Sequence, residues 1–216
     1  MNLTPIFERY ERLAAGADQA FERMQREHGD QVRCKPHCTD CCYALFGLFM
    51  VEALYLRRHF EDLDRKQRRV ALRLGDKAEQ ELKRLEAAGG GHDATSEMDT
   101  LSLARQRIRC PLLNDHQECI LYAYRPITCR VYGIPTLIQG QARVCGKSGF
   151  KKGGTYPAFD LDRVYKELFS LSSEILQGTG RKDLHRASLL LSVSKALRTS
   201  VEDLISGGPG GPQRVP

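Results

Sequence analysis

The chain has 216 residues, with 33 Lys and Arg against 27 Asp and Glu, which gives a net charge of +6 when the histidines are neutral. The apolar fraction is 41% when Tyr is counted and Gly is not. Leaving out the 8 Tyr and including the 19 Gly raises this fraction to roughly 46%, inside the ~45–50% typical of globular domains. This composition excludes intrinsic disorder for most of the chain. A chain of this length also buries enough surface to fold without covalent cross-links, so its eight cysteines need another explanation.

The N-terminal residues carry no pattern of a secretory signal. Met1–Arg12 contains Glu8 and Glu11 and no apolar run, whereas a signal peptide needs a basic start and an apolar stretch. The longest apolar stretch, Tyr43–Val51, has nine residues, against the ~20 that a membrane-spanning helix requires. We therefore expect a cytoplasmic protein with no membrane partner, in which the cysteines stay reduced.

In chain order, Thr4 is predicted to be the N-cap of a helix whose first residue is Pro5, and apolar residues then recur at helical spacing to about residue 28. A cysteine-bearing loop follows, and a second helix is expected to begin near Val51. A third helix is predicted to end at residues 89–91, which are three glycines. Its expected apolar stripe consists of Leu63, Val70, Leu74, Ala78, Leu82 and Leu85.

The second half of the chain has a weaker pattern. A short helix is possible between Thr95 and Arg109, and residues 110–145 are expected to form loops with one or two short strands near Ile134–Ile138. Asp160 is predicted to cap a helix, and Leu184–Leu197 to form another. Ser200 and Asp203 have the spacing of a capping box for a last helical turn.

These elements predict a mainly α-helical fold, in which helices pack around an irregular, cysteine-rich metal-binding core with little strand. The N-terminal helix occupies residues 1–30. The cysteine-cluster domain is assigned to 31–150, with a helical insertion at about 50–107. C-terminal helices in 151–205 are expected to pack on this core, and 206–216 to form a flexible tail.

The cysteines form two groups along the sequence, with the spacings C-x3-C-x2-CC and C-x8-C-x9-C-x15-C, separated by 67 residues. A pair such as Cys38 and Cys41, with two residues between them, can turn both sulfurs toward one metal ion. Adjacent Cys41 and Cys42 point in different directions and suit two neighbouring metals or two irons of one cluster. Basic residues flank both groups and would offset the charge of metal thiolates. The predicted ligands are Cys34, Cys38, Cys41, Cys42, Cys110, Cys119, Cys129 and Cys145.

An alternative is that these cysteines are small buried hydrophobic residues scattered through a core. His37, beside Cys38, is a further ligand candidate, although a hydrogen-bond donor beside the site or an exposed loop residue is the preferred interpretation.

Two segments carry a resemblance to a known family. The run CKPHCTDCC at Cys34–Cys42 and the block CPLLNDHQECILYAYRPITCRVY at Cys110–Tyr132 resemble the YkgJ-like cysteine-cluster family, described as zinc- or iron-chelating proteins with a CxxCxxCC signature. The first spacing here is x3 rather than x2. The resemblance covers roughly residues 30–147 and implies a cysteine-ligated centre, either an iron–sulfur cluster, with 4Fe-4S favoured, or zinc.

Two arginines of the second block, Arg125 and Arg130, are candidate cofactor-binding residues. Their guanidinium groups can donate hydrogen bonds to cluster sulfurs or to backbone carbonyls, or they can pair with surface acids. Aromatic and apolar residues nearby are expected to shield the site from water, or to belong to the helical core: Phe46, Leu48, Phe49, Met50, Tyr122, Tyr124 and Tyr132.

The favoured function is metal chelation through clustered cysteines, with a possible redox role if the metal is iron. One alternative is an iron–sulfur-dependent enzyme, because a branch with a similar cluster includes flagellin lysine methylases. This chain is shorter and has no recognisable cosubstrate motif. The acid–base candidates near the cysteines form no recognisable triad: His37, Glu52, Asp115, His116 and Glu118.

A third alternative is a zinc-stabilised interaction or nucleic-acid-binding module, suggested by a sequence pI of about 8.9. Charges of both signs alternate between Arg57 and Arg84, as on an exposed amphipathic helix. A phosphate-binding stripe would be more one-sided, so the charge pattern argues against nucleic acid as a partner.

Overall fold

The computed structural model of the chain describes residues 1–88, 106–180 and 184–207. Its helices are α1 (Thr4–Glu27), α2 (Met50–Glu61), α3 (Arg65–Ala88), α4 (Ile127–Val131), α5 (Leu161–Gly178), α6 (Val193–Arg198) and α7 (Val201–Ser206). Its strands are β1 (Thr136–Ile138), β2 (Gln141–Arg143) and β3 (Phe159–Asp160). The prediction of a mainly helical fold is confirmed. Within the described ranges, no helix has both the length and the apolar character needed to cross a membrane.

Helix α1 lies where the sequence predicts it. Its buried residues recur at helical spacing and include Ile6, Tyr10, Ala17 and Met24. The predicted cap is wrong by one position, because Thr4 is already helical and the N-cap residue is Leu3. The cysteine-bearing loop follows α1 as expected, with a 3-10 turn over Asp40–Tyr43.

Helix α2 is the centre of the apolar core. It contacts α1, α5, α6 and α7, and its buried residues cover most of its surface: Met50, Val51, Glu52, Ala53, Leu54, Tyr55, Leu56 and Phe60. A helix that is apolar nearly all round is typically buried on every side. The cysteines lie at the edge of this core, where Cys34, Cys110 and Cys119 pack against it.

Helix α3 follows the predicted range, and its most buried side lies next to the predicted stripe. Among the residues of α3 whose burial is described, Ala71 and Gly75 are buried and Val70 is 37% exposed. The other predicted positions on this helix are half-buried, namely Leu74, Ala78, Leu82 and Leu85. The small residues allow α6 to approach closely, since a Cβ added at Gly75 would lie 3.5 Å from that of Ser194. The predicted stop at 89–91 lies outside the described residues, as does most of the possible helix between 95 and 109.

The segment 110–145 contains loops and short strands, as predicted, and also the unpredicted helix α4. Strand β1 confirms the strand expected near 134–138. It pairs antiparallel with β2, with Thr136 opposite Arg143, and parallel with β3, with Thr136 opposite Phe159. The strand order is β2-β1-β3.

The C-terminal predictions are partly right. The Asp160 side chain caps α5 by accepting a hydrogen bond from the amide of Arg163 at 2.9 Å, and Ser200 caps α7. A continuous helix over Leu184–Leu197 is wrong. Leu191 forms a β-bridge with Leu48, which requires extended backbone, and Ser192 then caps α6. Of the predicted tail, Ser206 ends α7 and residues 208–216 lie outside the described part.

Candidate functional site

Backbone pairing brings the two halves of the cysteine pattern together. Ala44 and Arg107 form an antiparallel bridge, and the amide of Ile108 donates to the carbonyl of Tyr43 at 3.2 Å. One step further, the amide of Cys110 donates to the carbonyl of Cys42 at 2.7 Å. The first cysteine of the second group therefore lies beside the last cysteine of the first group.

A tight hairpin returns the chain to this point. Leu113 and Cys119 face each other in an antiparallel bridge, and the amide of Glu118 donates to the Asn114 side chain at 2.9 Å. Gln117 has a φ of 63°, which lets the chain reverse within a few residues. The hairpin places Cys119 close to Cys110.

Helix α4 supplies a further cysteine of this region, Cys129. The buried carboxylate of Glu52 on α2 accepts hydrogen bonds from the amide of Ile127 at 3.1 Å and from that of Phe49 at 3.2 Å. It therefore links the first residues of α2 and α4. Burial raises the pKa of Glu52 to about 7, against the opposing effect of these two amide hydrogen bonds.

Five thiols line one cavity at the edge of the core. This cavity has a volume of about 80 Å³ and is open to solvent on one side. We refer to the five as the cavity thiols: Cys41, Cys42, Cys110, Cys119 and Cys129.

The cavity thiols influence one another electrostatically. The thiols of Cys129 and Cys42 donate hydrogen bonds to the sulfur of Cys41, which lower the pKa of Cys41 to about 3. The pKa values of the two donors are raised, first of all by the same hydrogen bonds. Burial raises the pKa of Cys110 to about 12 and also raises that of Cys119.

The remaining cysteines form a second group, which we call the Asp40 thiols: Cys34, Cys38 and Cys145. The Cys145 thiol donates to Asp40 Oδ2 at 3.2 Å. Arg107 and Lys147 form ion pairs with Asp40 Oδ1 at 2.6 and 3.3 Å. Burial, followed by the charge of Cys38, raises the pKa of Cys34 to about 12.

The structure therefore groups the cysteines as five and three, whereas they occur along the sequence as four and four. Cys38 and Cys41, the pair with metal-ligand spacing, belong to different groups. The two groups are neighbours, because the charge of Cys41 still raises the pKa of Cys34.

The two candidate arginines have different positions. Arg125 lines the cavity, and its guanidinium lies 4.0 Å from the centre of the Tyr122 ring. Its charge lowers the pKa values of Cys41 and Cys119, although in each case other causes are larger. Arg130 is 7% exposed and donates to the backbone carbonyls of Arg125 and Ala123 at 2.9 and 2.6 Å. Arg130 therefore holds the turn that carries Arg125.

Both arginines share the carboxylate of Asp18 on α1. Arg125 donates to Asp18 Oδ1 at 3.3 Å, and Arg130 donates to Asp18 Oδ2. Asp18 and Asp40 are site residues that sequence reasoning missed. The position of Asp40 between Cys38 and Cys41 is a signal that could have identified it, whereas nothing local distinguishes Asp18.

The five acid–base candidates all lie in the described part of the chain, and none of them lines the cavity. Asp115, His116 and Glu118 are exposed residues of the hairpin turn, and Asp115 pairs with Arg109 at 3.2 Å. His37 is exposed, with its Nδ1 3.3 Å from the carbonyl of His116. Glu52 has the structural role described above.

Of the expected shielding residues, Phe46 lines the cavity, whereas Leu48 and Met50 belong to the apolar core. Phe49 packs against Tyr165 with ring centres 5.6 Å apart. Tyr122 is largely exposed, whereas Tyr124 stacks on His59 with ring centres 3.6 Å apart. The cavity is therefore covered mainly by apolar residues from elsewhere in the fold, namely Leu45, Ala78, Leu82 and Val193.

The cysteines have the donor chemistry of a thiolate-bound metal centre. Thiolates suit zinc and iron–sulfur centres, and all eight cysteines, each in the described part, are free of disulfides. Within the same residues, however, no three His, Cys, Asp or Glu side chains are arranged to hold a metal ion. The chemistry of the thiols fits such a centre, whereas the side chains in this structure are not arranged around one metal position.

Comparison with known proteins adds no relative: no family model matches the chain, and neither a curated protein nor a solved structure matches it significantly.

Proposed function

We propose that this protein chelates iron, in an iron–sulfur cluster, or zinc, with the cavity thiols as its principal ligands. The observation that carries the proposal is that three separate chain segments deliver five reduced cysteines to one cavity. The resemblance of Cys34–Cys42 and Cys110–Tyr132 to the YkgJ-like family supports the same function. Other buried small hydrophobic residues would have served for packing alone.

The surrounding residues suit a negatively charged centre. Four thiolates around Zn²⁺ or around a 4Fe-4S core of charge +2 leave a net charge of about −2, which nearby cations and hydrogen-bond donors stabilise. Arg125 lies at the cavity and is oriented by Asp18 and Tyr122. The partial burial of Cys110 and Cys119 would limit solvent access, which tunes the reduction potential of a cluster.

Ligation would replace the hydrogen bonds between thiols with bonds to metal and would release protons. When bound, an iron–sulfur cluster supplies one-electron chemistry, whereas zinc in a closed four-sulfur site cross-links the chain. The Asp40 thiols, with a carboxylate beside them, are a second donor set of the same chemical type.

The proposal is tested by purifying the full chain anaerobically and measuring iron, zinc and acid-labile sulfide, with a visible absorption spectrum of the same sample. Iron and sulfide in near-equal amounts, with broad visible absorption, would support a cluster. Stoichiometric zinc with a featureless visible spectrum would support a structural metal. Absence of both metals, also after anaerobic reconstitution with iron and sulfide or with zinc, would overturn the proposal.

A further inference from the structure

We propose that a pocket between helices α2 and α3 binds a phosphate group, carried by free phosphate or by a small phosphate ester. The inference goes beyond metal chelation and does not depend on the cysteines.

The pocket lies where α2 ends and α3 begins, and it is open to solvent. Its volume is about 190 Å³, well above the ~10–15 Å³ that holds one water molecule and below the ~300–1,000 Å³ of sites for drug-sized ligands. Phe60 and Leu72 supply its apolar surface. We refer to its four cationic residues as the pocket arginines: Arg57, Arg65, Arg68 and Arg69. The size and lining suit a small anion.

Three of the pocket arginines share one face of α3. Arg65, Arg68 and Arg69 are three and four residues apart, a spacing that places side chains side by side on a helix. Like charges at this spacing destabilise a helix. Among the described residues, none of the three forms an ion pair, although Arg68 is half-buried. Their charges are therefore available to an anion in the pocket.

The charges along α3 also favour an anion at this end. Residues 65–75 contain five Lys and Arg and no acid, whereas residues 76–88 contain three Lys and Arg and four acids. Cations are unfavourable near a helix N-terminus, where the helix dipole is positive. The side chain of Asp64 already accepts hydrogen bonds from the amides of Lys66 and Gln67 at 2.8 and 2.9 Å. The pocket arginines, rather than the backbone, would therefore hold the anion.

Arg57 is held in position before any ligand binds. Its side chain is 19% exposed, and its guanidinium donates to the carbonyl of Leu197 and to Glu61 Oε1, the latter at 2.9 Å. Glu61 also lines the pocket. It offsets one of the four positive charges, so the lining retains a net charge of +3.

This charge favours phosphate over a carboxylate. Guanidinium groups match the oxygens of both anions. A phosphate monoester carries about −1.5 to −2 charges near pH 7 and three strong acceptor oxygens, whereas a carboxylate carries one charge and two oxygens. Several guanidinium groups around one small pocket can be satisfied together by the phosphate group. A nucleic acid would need a longer basic surface, and the acids in the rest of α3 argue against one.

The test is isothermal titration calorimetry on the full chain at constant ionic strength, with inorganic phosphate and phenyl phosphate as probes. We expect one site per chain, with a Kd of about 1 mM or tighter. Equal affinity for both probes would show that the phosphate group alone is recognised. Tighter binding of phenyl phosphate would assign the site to a phosphate ester.

Two variants test the pocket arginines. Arg68→Gln should weaken binding by about tenfold, because it removes a charged hydrogen-bond donor, and the double variant Arg65→Gln/Arg69→Gln should weaken it at least as much. Arg84→Gln is the matched control. It removes the same charge from the same helix, but Arg84 is 76% exposed, lies outside the pocket and is about four turns beyond Arg69. The control should leave the Kd unchanged, and circular dichroism checks that each variant is folded.

The absence of saturable binding of both probes up to about 10 mM, tenfold above the expected Kd, would overturn the inference. Affinities that are equal in the unmodified chain and in both pocket variants would do the same. A DNA duplex is the third probe, and binding of the duplex alone would overturn the inference in favour of a nucleic-acid surface. The pocket variants leave every cysteine in place, so metal analysis of the same samples tests chelation separately.

Discussion

The amide of Cys110 donates a hydrogen bond of 2.7 Å to the carbonyl of Cys42, although 67 residues separate the two cysteines in the sequence. This bond continues the backbone pairing that begins at Ala44 and Arg107. Its effect is to place the second cysteine group against the end of the first, in a fixed register. The cavity thiols depend on this pairing, because closing so long a loop costs conformational entropy that the paired backbone must offset.

Removal of one of the cavity thiols is expected to affect bound metal differently from removal of one of the Asp40 thiols. Cys129→Ser removes a half-buried cavity thiol and should lower the metal content at least about tenfold, because a serine hydroxyl is a poor ligand for zinc or iron. Cys145→Ser changes one of the Asp40 thiols and should leave metal on the cavity thiols in place. Elemental analysis of both variants checks this expectation. Equal metal loss in both would show that the five-and-three grouping does not describe the ligands.

The close approach of Gly133 to Cys34 predicts intolerance to a methyl group. A Cβ at Gly133 would collide with the Cys34 sulfur, so Gly133→Ala should lower the free energy of unfolding by about 1–3 kcal/mol, as overpacking does. The control is Gly16→Ala within α1, where a Cβ meets nothing within 4 Å and alanine favours the helix by about 1 kcal/mol. Urea unfolding measures both changes. Stabilisation by both alanines would contradict the predicted contact.

Glu52 predicts a specific pH dependence of stability. Its pKa rises from 4.5 to about 7 on folding, so the folded state binds more protons than the unfolded state between these values. The contribution of Glu52 to stability is therefore complete below pH 4.5 and lost as the pH rises to about 7, by an amount on the order of 3 kcal/mol. Tyr10 and Tyr165 lie close enough to interact with Glu52, and their own pKa values, both raised above 10, keep them neutral in this range.

The measurement compares the unmodified chain with Glu52→Gln by urea unfolding at several pH values. Glutamine does not titrate. The difference in unfolding free energy between the two proteins should therefore change by about 3 kcal/mol in favour of the variant as the pH rises from 4.5 to about 7. If the plots of unfolding free energy against pH were parallel for the two proteins, the pKa of Glu52 would be the same in the folded and the unfolded state, and the prediction would be wrong.

Because Asp18 pairs with both Arg125 and Arg130, we expect its removal to lower the stability of the fold. Asp18→Asn leaves the buried guanidinium of Arg130 without a countercharge and should lower the free energy of unfolding by about 1–3 kcal/mol. The decrease is expected in the lower part of this range, because Asp18 is partly exposed and solvent screens its charge. Glu174→Gln is the control, since its ion pair with Arg9 is exposed on both sides and contributes about 0–1 kcal/mol. Equal effects in urea unfolding would assign Asp18 no special role in holding the turn.

The helices were largely predictable because their signals are local. The spacing of apolar residues locates α1, α2 and α5, and Asp160 and Ser200 cap the helices expected of them. The errors occur where distant residues decide the local conformation. Leu191 has extended backbone because it forms a β-bridge with Leu48. The short helix α4 begins at Ile127, whose amide donates a hydrogen bond to the buried carboxylate of Glu52.

The sequence by itself determined that the chain folds into helices and carries eight cysteines in two dense groups, because apolar periodicity and residue spacing depend only on neighbours along the chain. It also singled out Arg125 beside these cysteines. Only the tertiary structure decided that five thiols share one apolar cavity, that the other three lie close to one another with Cys145 bonded to Asp40, and that Arg130 supports a turn. These relationships arise from backbone pairing and ion pairs between segments far apart in the chain, and no spacing within a segment records them.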